Sequence, residues 1–213
     1  MKISNLEQRS PEWFDLRTGK ISGTRFSKVV SNSENNLVYD LANEIIDGFC
    51  LIDDGFINDA MQYGIDNEDL ALELYSKQTG IKVQKVGAIL SDFNDNHMGS
   101  PDGLNEKLGI VQEVKCTMNG AIHLKRINQG VESNHLPQIV NYFALSDEVK
   151  EVHFISYCGL KELHPIHIIK FNRESLIPRG KKEIIIEDLV TIARNNVNYI
   201  IDEAKQIAED YSF

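Results

Sequence analysis

Hydrophobic and polar positions follow a helical period at the start of the chain, between residues 120 and 145, and again at its end. Apolar residues there recur every three or four positions, the spacing that buries one face of an amphipathic helix. The pattern predicts helices over 11–17, 22–30, 37–48, 57–79, 120–129, 135–145 and 183–210. Ser22 or Thr24 is expected to cap the second helix, and Gly80 to end the fourth.

The remaining segments contain short runs rich in β-branched residues, separated by turn-forming residues. These runs predict strands over 82–91, 110–116, 151–157 and 164–171, with a further short strand leading into residues 100–103. Helices that alternate with strands indicate an α/β or α+β fold, in which helices flank a central mixed sheet of four or five strands. No segment marks a domain boundary, so we expect one domain over residues 1–213.

The final helix repeats its apolar residues with a strict 4-3 spacing. This stripe comprises Ile186, Val190, Ala193, Val197, Ile200, Ala204, Ile207 and Tyr211. Such a stripe either packs across the protein's own sheet or forms the seam of an oligomer, and the spacing alone leaves both open.

The composition is that of a globular protein, since 42% of the residues are hydrophobic and 25% are charged. It excludes disordered, collagen-like and coiled-coil chains. No apolar run reaches the ~18 residues that a membrane helix needs, and residues 1–9 hold no apolar signal segment, so we expect a cytoplasmic protein. Cys50, Cys116 and Cys158 form no CxxC pair and are expected to be reduced, mostly buried thiols.

The charge is unevenly distributed along the chain. A net charge of −10 argues against nonspecific coating of nucleic acid. However, residues 34–75 contain 11 acidic and no basic residues, which leaves the rest nearly neutral, and residues 1–28 contain six basic against three acidic residues. This basic N-terminal segment is either a phosphate-binding patch or an ordinary solvated surface.

Glu68 lies in an otherwise apolar or small stripe of the helix predicted over 57–79. The other members of the stripe are Ile57, Ala60, Met61, Gly64, Ile65, Ala71, Leu72 and Tyr75. A carboxylate that faces the core is costly unless it is paired. Either a metal ion or an arginine would satisfy Glu68, and the stripe alone does not choose between them.

Asp102, Glu113 and Lys115 form the candidate catalytic group. Asp102 lies at a strand end beside a turn, and Glu113 and Lys115 share one face of the next strand because side chains alternate. Two carboxylates can hold Mg²⁺ through oxygen while the lysine orients or deprotonates an attacking water, which suits phosphodiester hydrolysis. The three residue types are common, so an ordinary surface ion pair on a hairpin is the alternative explanation.

Five segments, in the same order and spacing, resemble the YqaJ-like viral recombinase family. They are residues 8–26 (QRSPEWFDLRTGKISGTRF), 64–71 (G-x3-E-x2-A), 100–104 (SPDGL), 113–116 (EVKC) and 136–142 (LPQIVNY). The resemblance extends from about residue 7 to the last helix. It implies the PD-(D/E)xK fold, the core of restriction endonucleases.

The resemblance also implies a metal site. Asp102 and Glu113 would bind Mg²⁺ directly, together with the backbone carbonyl of Val114, and Glu68 would assist a metal ion or its water molecules. Two ions per site are expected, with Mn²⁺ as an alternative to Mg²⁺.

Further roles follow from the same resemblance. Lys115 would act on the attacking water, and Gln138 would help to shape the catalytic site. The side chains expected to bind the 5′-phosphate of a DNA end are Arg17, Ser22, Thr24 and Arg25.

The activity implied by the resemblance is a Mg²⁺-dependent 5′-to-3′ exonuclease acting on linear double-stranded DNA. It would release 5′-mononucleotides and leave a 3′-ended strand for a phage single-strand annealing protein. A homotrimeric ring around the DNA is implied as well. The alternative enzyme is an endonuclease of the restriction or resolvase type on the same core, and the alternative without activity is a scaffold that binds DNA ends.

Overall fold

The computed structural model describes residues 1–31, 35–50 and 58–211. The helices in these residues span Pro11–Arg17 (α1), Phe26–Val30 (α2), Asn35–Asp47 (α3), Asp59–Thr79 (α4), Gly120–Gln129 (α5), Leu136–Leu145 (α6) and Ile186–Tyr211 (α7). The strands span Lys2–Ser4 (β1), Ala88–Leu90 (β2), Met98–Gly99 (β3), Gly103–Asn105 (β4), Ile110–Cys116 (β5), Glu151–Tyr157 (β6), Ile166–Asn172 (β7), Leu176–Arg179 (β8) and Lys182–Ile185 (β9).

The central sheet has four strands in the order β4-β5-β6-β7. β5 and β6 are parallel, whereas the two outer pairings are antiparallel. The apolar side of α4 packs on one face, where Ala71, Leu72 and Tyr75 contact Val114 and Ile155. α6 belongs to the larger core on the opposite face. The predicted class, a mixed sheet of four or five strands flanked by helices, is therefore confirmed.

A second, three-stranded sheet has the order β1-β2-β3 and corrects the strand predicted over 82–91. Gln84 pairs with Leu104 beside the central sheet, while Ala88–Leu90 pairs with β1. The chain crosses from one sheet to the other between them. Gly87 fits this crossing because a β-carbon there would lie 2.1 Å from the carbonyl oxygen of Leu6. The apolar pattern alone does not show that one run serves two sheets.

The start of α2 differs from the prediction. The helix begins at Phe26 rather than near residue 22, and its N-cap residue Arg25 makes no side-chain capping bond. Ile21 forms a bridge with His97, which holds the preceding backbone in an extended conformation. Residues 22–24 form a turn there instead of the first turn of a helix.

α4 ends at Gly80 as predicted, and Gly80 adopts a left-handed φ of 73°. Asn58 caps its N-terminus, since the Asn58 side chain accepts a hydrogen bond from the Met61 amide. The expected first stripe residue, Ile57, lies outside the described residues.

The last helix begins at Ile186 because a hairpin occupies residues 176–185. The innermost pair of the β8-β9 hairpin is Arg179 with Lys182, so Gly180 and Lys181 form a two-residue loop. Gly180 has a φ of 65°. The stripe of α7 from Ile186 to Ala204 is buried, whereas Tyr211 is exposed. α7 packs against α2, α3 and α6. The stripe is therefore covered by other helices of the same chain, and not by the central sheet as one of the two expectations had it.

All three cysteines are free thiols. Cys158 is buried, but Cys50 and Cys116 are half-buried, so the prediction of mostly buried thiols holds only for Cys158. In the described ranges, no helix combines the length and the hydrophobicity needed to cross a membrane.

Candidate active site

The hairpin between β4 and β5 places Asp102 beside Glu113. Asn105 accepts a hydrogen bond from the Leu108 amide at 3.0 Å, and Gly109, with a φ of 66°, ends the short 3₁₀ turn. Gly103 then pairs with Gln112. One residue further, the Asp102 carboxylate accepts a hydrogen bond from the Val114 amide at 2.6 Å. The turn thus brings the two predicted metal ligands to the same point of β5.

Glu113 is held by two side chains. Its Oε2 accepts a hydrogen bond from the Tyr142 hydroxyl at 2.6 Å, and its Oε1 forms an ion pair with Lys115. Gln138 lies one helical turn before Tyr142, and its Nε2 is 3.4 Å from the Tyr142 hydroxyl. Gln138 therefore reaches the catalytic group through Tyr142, a residue to which sequence analysis gave no role although the four-residue spacing within α6 places both on one face.

Burial and charge shift the pKa values at this site. Burial raises the pKa of Asp102 well above its usual range, and the negative charges of Glu113 and Glu68 raise it further. Burial lowers the pKa of Lys115, but the charges of Glu113 and Asp102 outweigh it, so the net pKa is raised. Lys115 is consequently a protonated ammonium in the metal-free protein, which donates hydrogen bonds and does not accept protons.

The donor set fits a hard divalent cation. Glu113 is a buried carboxylate and Asp102 a half-buried one, and a cation would relieve the repulsion between them. Mg²⁺ prefers such oxygen ligands, with water completing its shell. In the part of the chain that the structure describes, no group of three His, Cys, Asp or Glu side chains is arranged to hold a metal. The protein therefore offers two carboxylates at this point, with the Val114 backbone between Glu113 and Lys115.

Glu68 faces a cleft rather than the core. The stripe of α4 is buried at Ala71, Leu72 and Tyr75, whereas Met61 is exposed and Glu68 lies between these two regions. Its Oε1 forms an ion pair with Lys85 at 3.2 Å. The protein cation beside Glu68 is therefore a lysine, which also pairs with Asp69, rather than the arginine that was one alternative. The other alternative, a role beside a metal ion, stays a prediction.

The cleft has a volume of about 480 Å³ and leads to Asp102. Its walls come from residues 5–9, the α4 residues Ile65, Glu68 and Asp69, and the crossing segment 85–87. Gln8 fixes one wall, because its side-chain amide donates to the carbonyls of Val86 and Pro101, each at 2.9 Å. The carbonyl of Pro101 directly precedes Asp102, so Gln8 helps to position that carboxylate.

Three of the residues expected to bind phosphate, Arg17, Ser22 and Thr24, have the following surroundings. Arg17 is buried, and its guanidinium lies 4.3 Å from the ring centroid of Trp13. Trp13 is itself buried and donates a hydrogen bond to the Gly87 carbonyl at 2.9 Å. The hydroxyls of Ser22 and Thr24 are 3.1 Å apart, and Thr24 is exposed.

The turn that contains Gly23 lies next to Gln138. A β-carbon added at Gly23 would lie 3.3 Å from Cγ of Gln138. The structure therefore places Gly23, which lies between Ser22 and Thr24, beside Gln138. The phosphate-binding role of Ser22 and Thr24 stays a prediction.

Arg25, the fourth expected phosphate ligand, is bonded inside the protein. Both of its terminal nitrogens contact the Glu44 carboxylate, with Nη1 at 3.0 Å from Oε2. Glu44 is fully buried and also accepts a hydrogen bond from the Gly19 amide at 2.9 Å. This geometry favours a structural role for Arg25, which joins α2 to α3, over contact with DNA.

Arg126 supports the catalytic strand but carries no signal in the sequence. Its Nη1 donates to the Lys115 carbonyl at 3.1 Å, and its Nε donates to Glu132 at 3.0 Å. Arg126 is buried above the ring of Phe154. These contacts hold the end of β5 against α5, and they arise only when strand and helix meet in the fold.

Comparisons with known proteins give the family and the fold. Residues 12–148 match the YqaJ-like viral recombinase domain. No curated protein sequence matches the chain. The structure is similar to an alkaline exonuclease, LHK-Exo from Laribacter hongkongensis, with a TM-score of 0.78 and 24% identity over 95% of this chain and 96% of that chain.

Two further structures have the same fold. LHK-Exo in complex with dAMP gives a TM-score of 0.77 at 24% identity, again over 95% of this chain and 96% of that chain. A phage-related exonuclease from Haemophilus somnus 129PT gives 0.54 at 14% identity, over 89% of this chain and 96% of that chain. These similarities confirm the predicted PD-(D/E)xK-like fold. Because the family match covers more than half of its residues, the chain belongs to the YqaJ-like viral recombinase family.

Proposed function

We propose that this protein is a Mg²⁺-dependent exonuclease that degrades linear double-stranded DNA from 5′ to 3′. The observation that supports this most is the group of Asp102, Glu113 and Lys115, which are held together beside a cleft that Asp102 lines. The similarity to an alkaline exonuclease and to a phage-related exonuclease adds to it. The products would be 5′-mononucleotides and a 3′-ended single strand.

The residues of the site suit this chemistry. Mg²⁺ held by Asp102 and Glu113 would supply positive charge against the negative charge that develops on the phosphate. Lys115, as an ammonium, can orient a water by hydrogen bonding and add to that charge. Tyr142 holds the Glu113 carboxylate through its hydroxyl, so that Glu113 keeps its orientation when Lys115 turns to the water.

The test is digestion of a linear duplex labelled at either end, with Mg²⁺ and with EDTA, beside a closed circular duplex. The proposal expects Mg²⁺-dependent loss of the 5′-phosphorylated strand while the circle stays intact. A nicked or linearised circle would instead indicate an endonuclease on the same core. Absence of any cutting would indicate a scaffold that binds DNA ends.

Arg17 is proposed to bind the 5′-phosphate of the DNA end, with Ser22 and Thr24 beside it. An Arg17→Ala variant should lose the preference for 5′-phosphorylated over 5′-hydroxyl ends, because the guanidinium fork matches phosphate oxygens. The ratio of the two rates is the measurement, since impaired folding would lower both rates equally. Arg17→Lys should keep part of the preference, and an unchanged ratio in both variants would remove this role.

The proposal also covers the location, the oligomeric state and the partner of the enzyme. We propose that it acts in the cytoplasm of a bacterial host, as a homotrimeric ring, and passes its 3′-ended product to a single-strand annealing protein for phage-type recombination. The mass of the particle in solution, with and without duplex DNA, tests the ring. A monomer under both conditions would contradict it.

A further inference from the structure

The turn before α1 places an arginine in a conformation that favours glycine. The Ser10 amide donates a hydrogen bond to the Glu7 carbonyl at 3.1 Å, which closes a four-residue β-turn. Arg9 has a φ of 71°. Among the described residues, it is the only residue other than glycine with a positive φ. A positive φ confined to the third position defines a type II turn, where glycine is normally found because other residues are strained there.

The surroundings of the turn impose this conformation. Gln8 is tied to the carbonyls of Val86 and Pro101, and Ser10 caps α1 by accepting a hydrogen bond from the Trp13 amide. The residues on either side of Arg9 are therefore fixed to different parts of the protein. A glycine would satisfy the turn with less strain, so the arginine side chain brings a conformational cost.

Arg9 lines the same cleft as Asp102. The cleft is lined by the acidic residues Glu7, Glu68, Asp69 and Asp102 and by two basic residues, Arg9 and Lys85. Lys85 is paired with both Glu68 and Asp69. Arg9 is exposed, and its guanidinium makes no ion pair with the described residues of the chain.

We infer that Arg9 binds a backbone phosphate of the DNA strand that lies in the cleft beside Asp102. A polyanion that enters a cleft with more acids than bases needs a cation whose charge is not already neutralised, and Arg9 meets this need. Its planar guanidinium can donate two hydrogen bonds to one phosphate. This inference rests on the proposed function, since it requires that the cleft holds DNA.

The experiment uses the strain of the turn to separate binding from folding. Binding of a fluorescent duplex is measured by anisotropy in EDTA at several salt concentrations for the wild type, R9G and R9K. R9G should bind about 3–10-fold more weakly, and the slope of its log affinity against log salt concentration should be smaller by about one. Its melting temperature should stay the same or rise. R9K keeps the charge and should bind within about twofold of the wild type.

K181G is the matched control, because Lys181 is an exposed lysine in a turn outside the cleft. Its DNA affinity should equal that of the wild type. If R9G binds like the wild type, or if K181G loses as much affinity as R9G, Arg9 has no specific phosphate contact. A wild type that binds no DNA contradicts the proposed function as well, so the two failures are distinguishable.

Discussion

At the residue scale, the candidate site consists of one buried and two half-buried charged groups that contact one another or the same strand. Glu113 has a side-chain exposure of 2% and is bonded to both Tyr142 and Lys115. Asp102 is fixed by the Val114 amide on the neighbouring strand. Each group therefore has a defined position before substrate arrives, and this preorganisation is what electrostatic catalysis requires.

Removal of either Asp102 or Lys115 should abolish DNA digestion. Asp102→Ala removes a carboxylate that we propose to hold the metal ion, and Lys115→Ala removes the ammonium, so we expect losses of at least about 10²-fold in kcat. Circular dichroism should show folded proteins. Lys107→Ala, an exposed lysine on the same hairpin, is the control that should keep full activity. Full activity of either site variant would overturn the assignment.

His97 should make the protein sensitive to acid. Burial lowers its pKa from 6.5 to about 4, although Asn141 opposes this by hydrogen bonding and Arg194 adds a smaller lowering effect. His97 therefore binds a proton more tightly in the unfolded chain than in the folded protein. Its contribution to the free energy of unfolding is fully present above pH 6.5 and is lost as the pH falls towards 4. The loss amounts to about 3 kcal/mol.

The measurement is denaturant unfolding of the wild type and of His97→Gln between pH 7 and pH 4. The variant lacks the titrating group, so its stability should fall less steeply over this range. Parallel pH profiles of the two proteins would show that His97 does not cause the effect.

At the element scale, one buried ion pair joins α2 to α3. Arg25 and Glu44 are both buried, and two contacts join the guanidinium to the carboxylate. The Glu44 carboxylate also accepts a hydrogen bond from the Gly19 amide. A buried pair contributes little net stability compared with an apolar pair, but loss of one partner leaves an uncompensated charge. The ion pair therefore fixes the position of α2 relative to α3 more than it adds to stability.

Arg25→Ala should destabilise the fold by about 3–5 kcal/mol in denaturant unfolding. The double variant Arg25→Met with Glu44→Leu should recover most of that loss, because it removes both charges and retains volume. At a temperature where Arg25→Ala is still folded, its preference for 5′-phosphorylated ends should be unchanged. A stable Arg25→Ala variant with lost preference would instead support the phosphate role.

At the scale of the whole molecule, the proposed metal site would link metal binding to folding and to pH. Because burial and the charge of Glu113 raise the pKa of Asp102, the metal-free fold is stabilised by protonation of Asp102 and loses that stabilisation as the pH rises through its folded pKa. Mg²⁺ should replace the proton. Its stabilising effect should therefore grow with pH.

Thermal unfolding with and without Mg²⁺ tests this linkage. At a free concentration of about 100 times Kd, Mg²⁺ should stabilise the protein by about 2.7 kcal/mol, which corresponds to a rise of about 5–10 °C in Tm. EDTA should reverse the shift, and the shift should shrink as the pH falls. An Asp102→Asn variant with the same Mg²⁺ response would contradict the site.

The sequence by itself determined most of the elements, and it predicted the candidate residues of the site. Local periodicity and turn residues predicted most helices and the strand Ile110–Cys116, and alternation along that strand put Glu113 and Lys115 on one face. The hairpin around Gly180 could also have been predicted from its two-residue loop. These features depend on neighbouring residues in the chain, which is why a single sequence contains them.

Only the tertiary structure decided which side chains meet across the fold. The pairing of Glu68 with Lys85, of Arg25 with Glu44 and of Arg126 with the Lys115 carbonyl joins separate elements, and each pairing depends on how those elements pack. The split of the run 82–91 between two sheets has the same origin, because strand partners are set by packing rather than by local preference. Residue types therefore predicted the candidate residues of the site, whereas the fold determined which charges pair inside it and placed Arg9 in the wall of the cleft without an ion pair to the described residues.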